Sequence, residues 1–174
     1  MKMITSSLLG LFGLLMSSGP SQSQESVSYT YGDWQVACTQ RENALPCEMH
    51  QNLIDGASGQ TIVNFSLAYS PVEGAYAIQI TVPLGIMLEG GMVIRAGETT
   101  VEGIQFSRCL PNGCLVEARL EDPLLAAMSA GGEASIRIVD AAKQPANLPF
   151  SLNGFEAARA QLQSQTELYQ AGGQ

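Results

Sequence analysis

Four cysteines fall in two close pairs, Cys38 with Cys47 and Cys109 with Cys114, and each pair brackets residues that turn a chain. Between Cys109 and Cys114 lie Leu110-Pro111-Asn112-Gly113, where Pro and Asn-Gly favour a tight reversal because Asn and Gly accept positive φ. Cys38 and Cys47 flank the polar loop 39–46, which can double back in the same way. Four cysteines allow three connectivities. The two local pairings are favoured, since each turn already brings its cysteines to facing positions. Neither spacing is the CxxC of a thioredoxin-like helix or of a zinc knuckle. With His50 the single histidine, no metal centre and no cofactor is expected.

The N-terminus sets the compartment in which such pairs would form. Lys2 precedes an apolar stretch, Leu8-Leu9-Gly10-Leu11-Phe12-Gly13-Leu14-Leu15-Met16, followed by small and polar residues. Ser21 and Ser23 fit the small-x-small rule, so residues 1–23 read as a cleaved signal peptide and 24–174 as one mature domain. A membrane anchor would need about 20 apolar residues, and this stretch is shorter. The expected location is therefore the periplasm, where thiols pair. Lys2 is the only charged residue before the cut, so cleavage makes the chain one unit more negative than its formal −8. Such a surface repels nucleic acid and anionic lipid and favours a basic partner.

From Asp33 onward the apolar residues recur with period two, the strand signal. Trp34, Val36 and Cys38 alternate with polar or small neighbours. So do Val63, Phe65 and Leu67; Ile78, Ile80 and Val82; Val116, Ala118 and Leu120; Ile136 and Ile138. Turn pairs such as Asp55-Gly56, Glu73-Gly74, Ala96-Gly97 and Asn112-Gly113 separate them, and no helical crossover of the length a parallel sheet needs intervenes. The expectation is a mainly β single domain, an antiparallel β-sandwich or barrel-like fold with one face packed and one wet. Two helices are predicted. Asp122-Pro123 starts a short one over about 122–129, with Asp122 as its N-cap. Asn153 caps a C-terminal one over about 154–169, with Glu156 completing a capping box. The latter carries Phe155, Ala158, Leu162 and Tyr169 on one face. Residues 24–30 are polar and read as loose.

Residues that carry chemistry are sparse. His50 lacks a recognisable nucleophile motif for a Ser-His-acid triad and reads as a packed or solvated side chain. Acids are plentiful, so a carboxylate-based hydrolase is a competing reading, though Glu121-Asp122 marks a helix start rather than a catalytic pair. No phosphate-binding glycine motif is present. No catalytic, cofactor-binding or metal residue is assigned. Two segments stand out. One is Ile80-Thr81-Val82-Pro83-Leu84-Gly85-Ile86-Met87-Leu88, whose apolar run beyond Pro83 is either a buried loop or an exposed binding ridge, with burial the default. The other is Pro149-Phe150-Ser151-Leu152-Asn153-Gly154-Phe155.

Those segments, with Gly32-Asp33-Trp34, Cys38, Cys47, Gly91-Met92-Val93-Ile94 and Phe106-Ser107-Arg108-Cys109 through Gly113-Cys114, resemble the invasion-associated locus B family of bacterial exported proteins. The likeness runs from about Tyr31 to Ala160. It implies a periplasmic or envelope-associated β-rich domain of a Gram-negative bacterium, with no catalytic residues to carry over. This chain departs from a family whose members are often basic. The reading that follows is a non-enzymatic binding domain with an envelope or host-interaction role. The alternative is an acidic inhibitor of a basic envelope enzyme such as lysozyme, acting through an exposed loop such as 39–46.

Overall fold

The computed structural model describes residues 26–39 and 45–172. The signal-peptide reading of residues 1–23 and most of loop 39–46 lie outside them. The elements run β1 (Ser26–Tyr31), β2 (Trp34–Thr39), β3 (Cys47–Ile54), β4 (Thr61–Ser70), β5 (Ala75–Val82), β6 (Met92–Ala96), β7 (Thr99–Ile104), β8 (Phe106–Leu110), β9 (Gly113–Arg119), α1 (Asp122–Ala130), β10 (Ala134–Val139), β11 (Pro145–Phe150) and α2 (Phe155–Gly172).

Alternation forces the architecture. β1 to β5 form an antiparallel meander, β9 pairs with β5 and β8 with β9, giving a seven-stranded sheet in the order β1-β2-β3-β4-β5-β9-β8. A second sheet runs β11-β10-β6-β7, also antiparallel. The two sheets form an open sandwich rather than a closed barrel. On the large sheet Trp34, Val36, Met49, Phe65, Leu67, Ile78, Ile80 and Val116 point inward and are buried, and Met92, Ile94, Ile136 and Phe150 face them from the small sheet. Phe65 and Phe150 meet across the gap with ring centroids 5.0 Å apart.

Helix α2 covers the inner face of β1 to β4 with Phe155, Ala158 and Leu162, all fully buried, and Thr166 and Tyr169 continue the stripe. The i, i+3, i+4 spacing of these residues is what a helix lying on a sheet requires. Both predicted helices exist, but their caps differ from expectation. The N-cap of α1 is Glu121, one residue early, and its side chain makes no capping bond; Asp122 is already helical because Pro123 fixes the first turn. Asn153 does not cap α2. Its side chain is turned toward Asp33, and Glu156 bonds Arg159 one turn on.

Two further expectations are corrected. Residues 26–31 are not loose: they pair residue for residue with β2, from Ser26 opposite Thr39 to Tyr31 opposite Trp34. Val27, Tyr29 and Tyr31 alternate toward the core from an edge position, where half-burial lowers the apolar signal in sequence. Asn112-Gly113 is also not the reversal itself. The two-residue loop is Pro111-Asn112, and Gly113 already pairs with Leu110. Its glycine is needed because a Cβ there would run into the Val82 carbonyl oxygen.

The helix seam gives a stability test. Leu162→Ala should cost about 2–4 kcal/mol by transfer and cavity terms, whereas Leu168→Ala, at an exposed position of the same helix, should change denaturant midpoints very little.

Candidate functional site

The Gly32-Asp33 turn between β1 and β2 and the segment leading into α2 are far apart in sequence and lie against each other in space. Gly32, at φ +55°, has room for no side chain, since a Cβ would sit 2.5 Å from the Asn153 carbonyl oxygen. Gly154, at φ +83°, comes equally close to the Tyr31 carbonyl. This approach lets the Asp33 amide donate to the Asn153 carbonyl at 3.2 Å. The Trp34 indole Nε1 donates to the Ser151 carbonyl at 2.9 Å, while its ring packs edge-on against Phe65 and Phe155 at 5.6 and 5.2 Å. Ser151 Oγ donates to Asp33 Oδ2 at 2.6 Å and accepts from the Asn153 amide at 3.1 Å.

Gln51 completes the cluster. It is buried, its Nε2 donates to the carbonyls of Asp33 and Ser151 at 3.2 Å each, and its Oε1 accepts from the Ser151 amide at 2.9 Å. A buried amide that satisfies three backbone groups is a structural bracket, because leaving those groups unpaired would carry the full desolvation cost. Sequence reasoning did not single out Gln51. Its signal was a polar residue in the inward phase of β3, where Cys47, Met49 and Leu53 are its neighbours. Most of the motif residues at this end are therefore used in holding the chain shut rather than offered to a ligand.

The segment after β5 behaves otherwise. Ile80 and Val82 are buried as expected, but beyond Pro83 the run is not: Leu84 is 53% and Leu88 44% exposed, with Ile86 half-buried. The physical reason is that this stretch strides from the large sheet to the small one along its rim. Its backbone is held there by Ile86 bridging to Asp140, Met87 N–H donating to Val139 O and Ala141 N–H donating to Gly85 O. Below it opens a groove of about 740 Å³ lined by Ile62, Pro83, Leu84 and Pro111 with Asp55 and Ser58. Exposed Ile54 and Leu110 adjoin its lining in sequence. Asp55, the charged residue of that lining, is held ionised below the ordinary carboxylate range by the Ser58 hydroxyl and by the Ala57 and Ser58 amides.

The remaining sequence candidates are separate. Cys38 lies directly opposite Cys47, and Cys109 opposite Cys114, with Cα atoms 4.1 and 3.9 Å apart and sulfurs at bonding distance. The first pair is buried in the core and the second sits at the end of the β8–β9 hairpin. His50 lies on the outer face of β3. Its Nε2 meets Gln35 Oε1 at 3.1 Å, and its Nδ1 is covered without a hydrogen-bond partner. Ser66 stands opposite His50 but donates to Asn64. Among the described residues no carboxylate bonds the ring, so this pair lacks the geometry of a nucleophile and its base. Among the described residues no three His, Cys, Asp or Glu side chains gather as a metal site, and no helix is long and apolar enough to cross a membrane.

Polar contacts also seal α2 to the β4–β5 hairpin. Arg159 holds Glu156, donates to the Tyr76 hydroxyl at 2.8 Å and lies over the Tyr76 ring at 5.6 Å. The Tyr76 hydroxyl donates to Gln163 at 2.9 Å. The Arg159 guanidinium draws the Glu156 carboxyl down to about 2, and Glu156 in turn raises Arg159 further. Burial raises the Tyr76 hydroxyl.

The invasion associated locus B (IalB) protein family is matched over residues 34–163. Two curated relatives, invasion protein B homologs of Brucella abortus strain 2308 and of Brucella abortus biovar 1 strain 9-941, are each 29% identical over 165 residues. That span covers 92% of this chain and 91% of theirs. The crystal structure of invasion associated protein B from Bartonella henselae superposes with a TM-score of 0.73 at 26% identity, covering 81% of this chain and 97% of that one.

Two outcomes follow from the cluster and the seam. Gln51→Leu should destabilise the protein by about 2–4 kcal/mol in urea unfolding, since it strands the Asp33 carbonyl and the Ser151 amide and leaves the Ser151 carbonyl only the Trp34 indole. An acid titration of stability should report Glu156. Its folded value lies below its unfolded value of 4.5, so its contribution is present above that pH and is lost as the pH falls toward about 2. The side chain is half-exposed, so solvent screens the effect. Glu156→Gln should flatten that limb of the curve.

Proposed function

The chain belongs to the invasion associated locus B family, and from that premise we propose that it is an exported binding module that holds a basic envelope or host-surface protein rather than catalysing a reaction. The observation that carries this reading is the exposed Leu84 ridge over an open groove whose charged lining residue is Asp55. Apolar side chains exposed together beside a groove are the usual mark of an interaction surface. The excess of acids over bases, 16 to 8 across the chain, would speed encounter with a cationic partner and select against anionic ones. The clamp formed by Asp33, Trp34, Gln51 and Ser151 supports the same reading by leaving those residues no part in chemistry. Residues 1–23 supply the export address, with release of a mature chain that starts at Gln24.

Export into an oxidising compartment would close both cysteine pairs. Non-reducing peptide mapping of the secreted protein should find Cys38 linked to Cys47 and Cys109 to Cys114. Reduction should cost roughly 2–3 kcal/mol per bridge on loop-closure grounds.

The test of the function is affinity capture by the mature, oxidised protein from solubilised envelope and host-surface extracts across a salt series. A basic protein retained at low salt and released as salt rises is the expected result. The double variant Leu84→Ser and Leu110→Ser should lower its recovery about tenfold or more without shifting Tm. Capture of nothing above background, or recovery unaffected by the double variant, would overturn this reading.

A further inference from the structure

The outer face of the four-stranded sheet differs from the rest of this acidic molecule. Eight side chains form a two-by-four grid across β11, β10, β6 and β7. Register places Pro149, Ser135, Arg95 and Thr100 in one row. Asn147, Arg137 and Val93 make the second row, and Glu102 of β7 closes it. Together they line a concavity of about 620 Å³, a volume typical of small-molecule sites. Arg95 stands opposite Ser135, and Arg137 is two residues further along the same strand. The two arginines are therefore diagonal neighbours, about 7–8 Å apart at the backbone, close enough for both guanidinium forks to reach one bound group.

Their charges are poorly used by the protein. Arg95 takes part in none of the ion pairs among the described residues, while Arg108 and Arg159 are each held by a neighbouring glutamate. Arg137 has only Glu102, at 3.7 Å, with side chains 48% and 71% exposed. Glu102 reaches it across the intervening strand β6. So long and exposed a contact is worth little, and Glu102 can swing out of the concavity. Thr100 and Ser135 offer hydroxyls, Asn147 an amide, and Val93 and Pro149 apolar walls. Guanidinium pairs flanked by neutral donors match the planar or tetrahedral oxygens of carboxylate and phosphate groups.

We propose that this face binds a small ligand bearing an oxyanion, a carboxylate or a phosphate monoester, with Arg95 and Arg137 as its anchors and Glu102 as a counterion that the ligand displaces. The site is independent of the Leu84 groove. The displacement predicts an uncommon pattern of effects: removing an acid improves binding, and removing either base weakens it.

The experiment is an amide NMR titration of the mature protein with inorganic phosphate and, in a separate arm, with glucuronate, each at constant ionic strength against sodium chloride. Saturable shifts confined to residues 93–95, 100–102, 135–137 and 147 are expected. Arg95→Gln and Arg137→Gln should each weaken the response about tenfold, the size of one charged hydrogen-bonding contact. Glu102→Gln should strengthen it by roughly threefold, the worth of an exposed ion pair. All three positions lie on the outer face, so unchanged thermal unfolding should accompany each variant. A response to phosphate alone or to glucuronate alone assigns the oxyanion class. The proposal is overturned if neither probe gives a saturable response on this face. It fails equally if the response survives both arginine changes, or if Glu102→Gln weakens it.

Discussion

The tie between Trp34, Gln51 and Ser151 is the interaction on which the rest of the structure depends. It joins the second strand to the segment before the last helix across 117 residues of sequence. A long-range contact of this kind must offset the loop entropy of the intervening chain. Here it does so with several bonds at once, together with the fully buried indole and Phe155 packed beside it. Because α2 begins immediately after Gly154, the same tie fixes where the helix starts and therefore which face it lays on β1 to β4. The inner surface of the large sheet is then shared between α2 and the small sheet, and neither could shift without exposing Phe65, which touches both Trp34 and Phe150.

The sandwich leaves its spare surface in two places with different chemistry. At the rim, the chain must cross from one sheet to the other in a few residues, and its backbone is satisfied by the end of β10, so Leu84 and Leu88 are left outside. On the outer face of the small sheet, the same alternation that buries Ile94 and Ile136 sends Arg95 and Arg137 outward. Both surfaces are by-products of how the strands are phased. One is apolar beside an acid and the other is cationic, which suits them to different ligands.

Much of the fold was legible from period-two alternation and glycine-bearing turns, and the second helix from its stripe of Phe155, Ala158 and Leu162. The misses have separate physical causes. β1 and β11 are edge strands, half-exposed on alternate positions, and Pro145 and Pro149 in β11 are tolerated because an edge strand has a side that makes no ladder bonds. The capping role expected of Asn153 failed because α2 opens one residue later, with the Ala158 amide donating to the Gly154 carbonyl. Gln51 was visible as a polar residue in an inward phase, but its partners are backbone atoms of other elements, which no local pattern reveals. For the apolar run after Pro83 the exposed reading holds over the buried default, because hydropathy cannot distinguish a residue that supports the core from one that overhangs a groove. Membership of the family rested on segments that prove to be mostly architectural, so it carries the shape further than the activity.

That α2 follows every described strand in sequence has a consequence for the order in which the molecule is made. Trp34 and Phe65 are among the first large apolar residues to emerge, yet the helix and the bracket that shelter them are the last to arrive. A nascent chain therefore holds a half-open sheet with its inner face uncovered until residues 151–162 appear. Closure of the inner face cannot precede synthesis of residues 151–162.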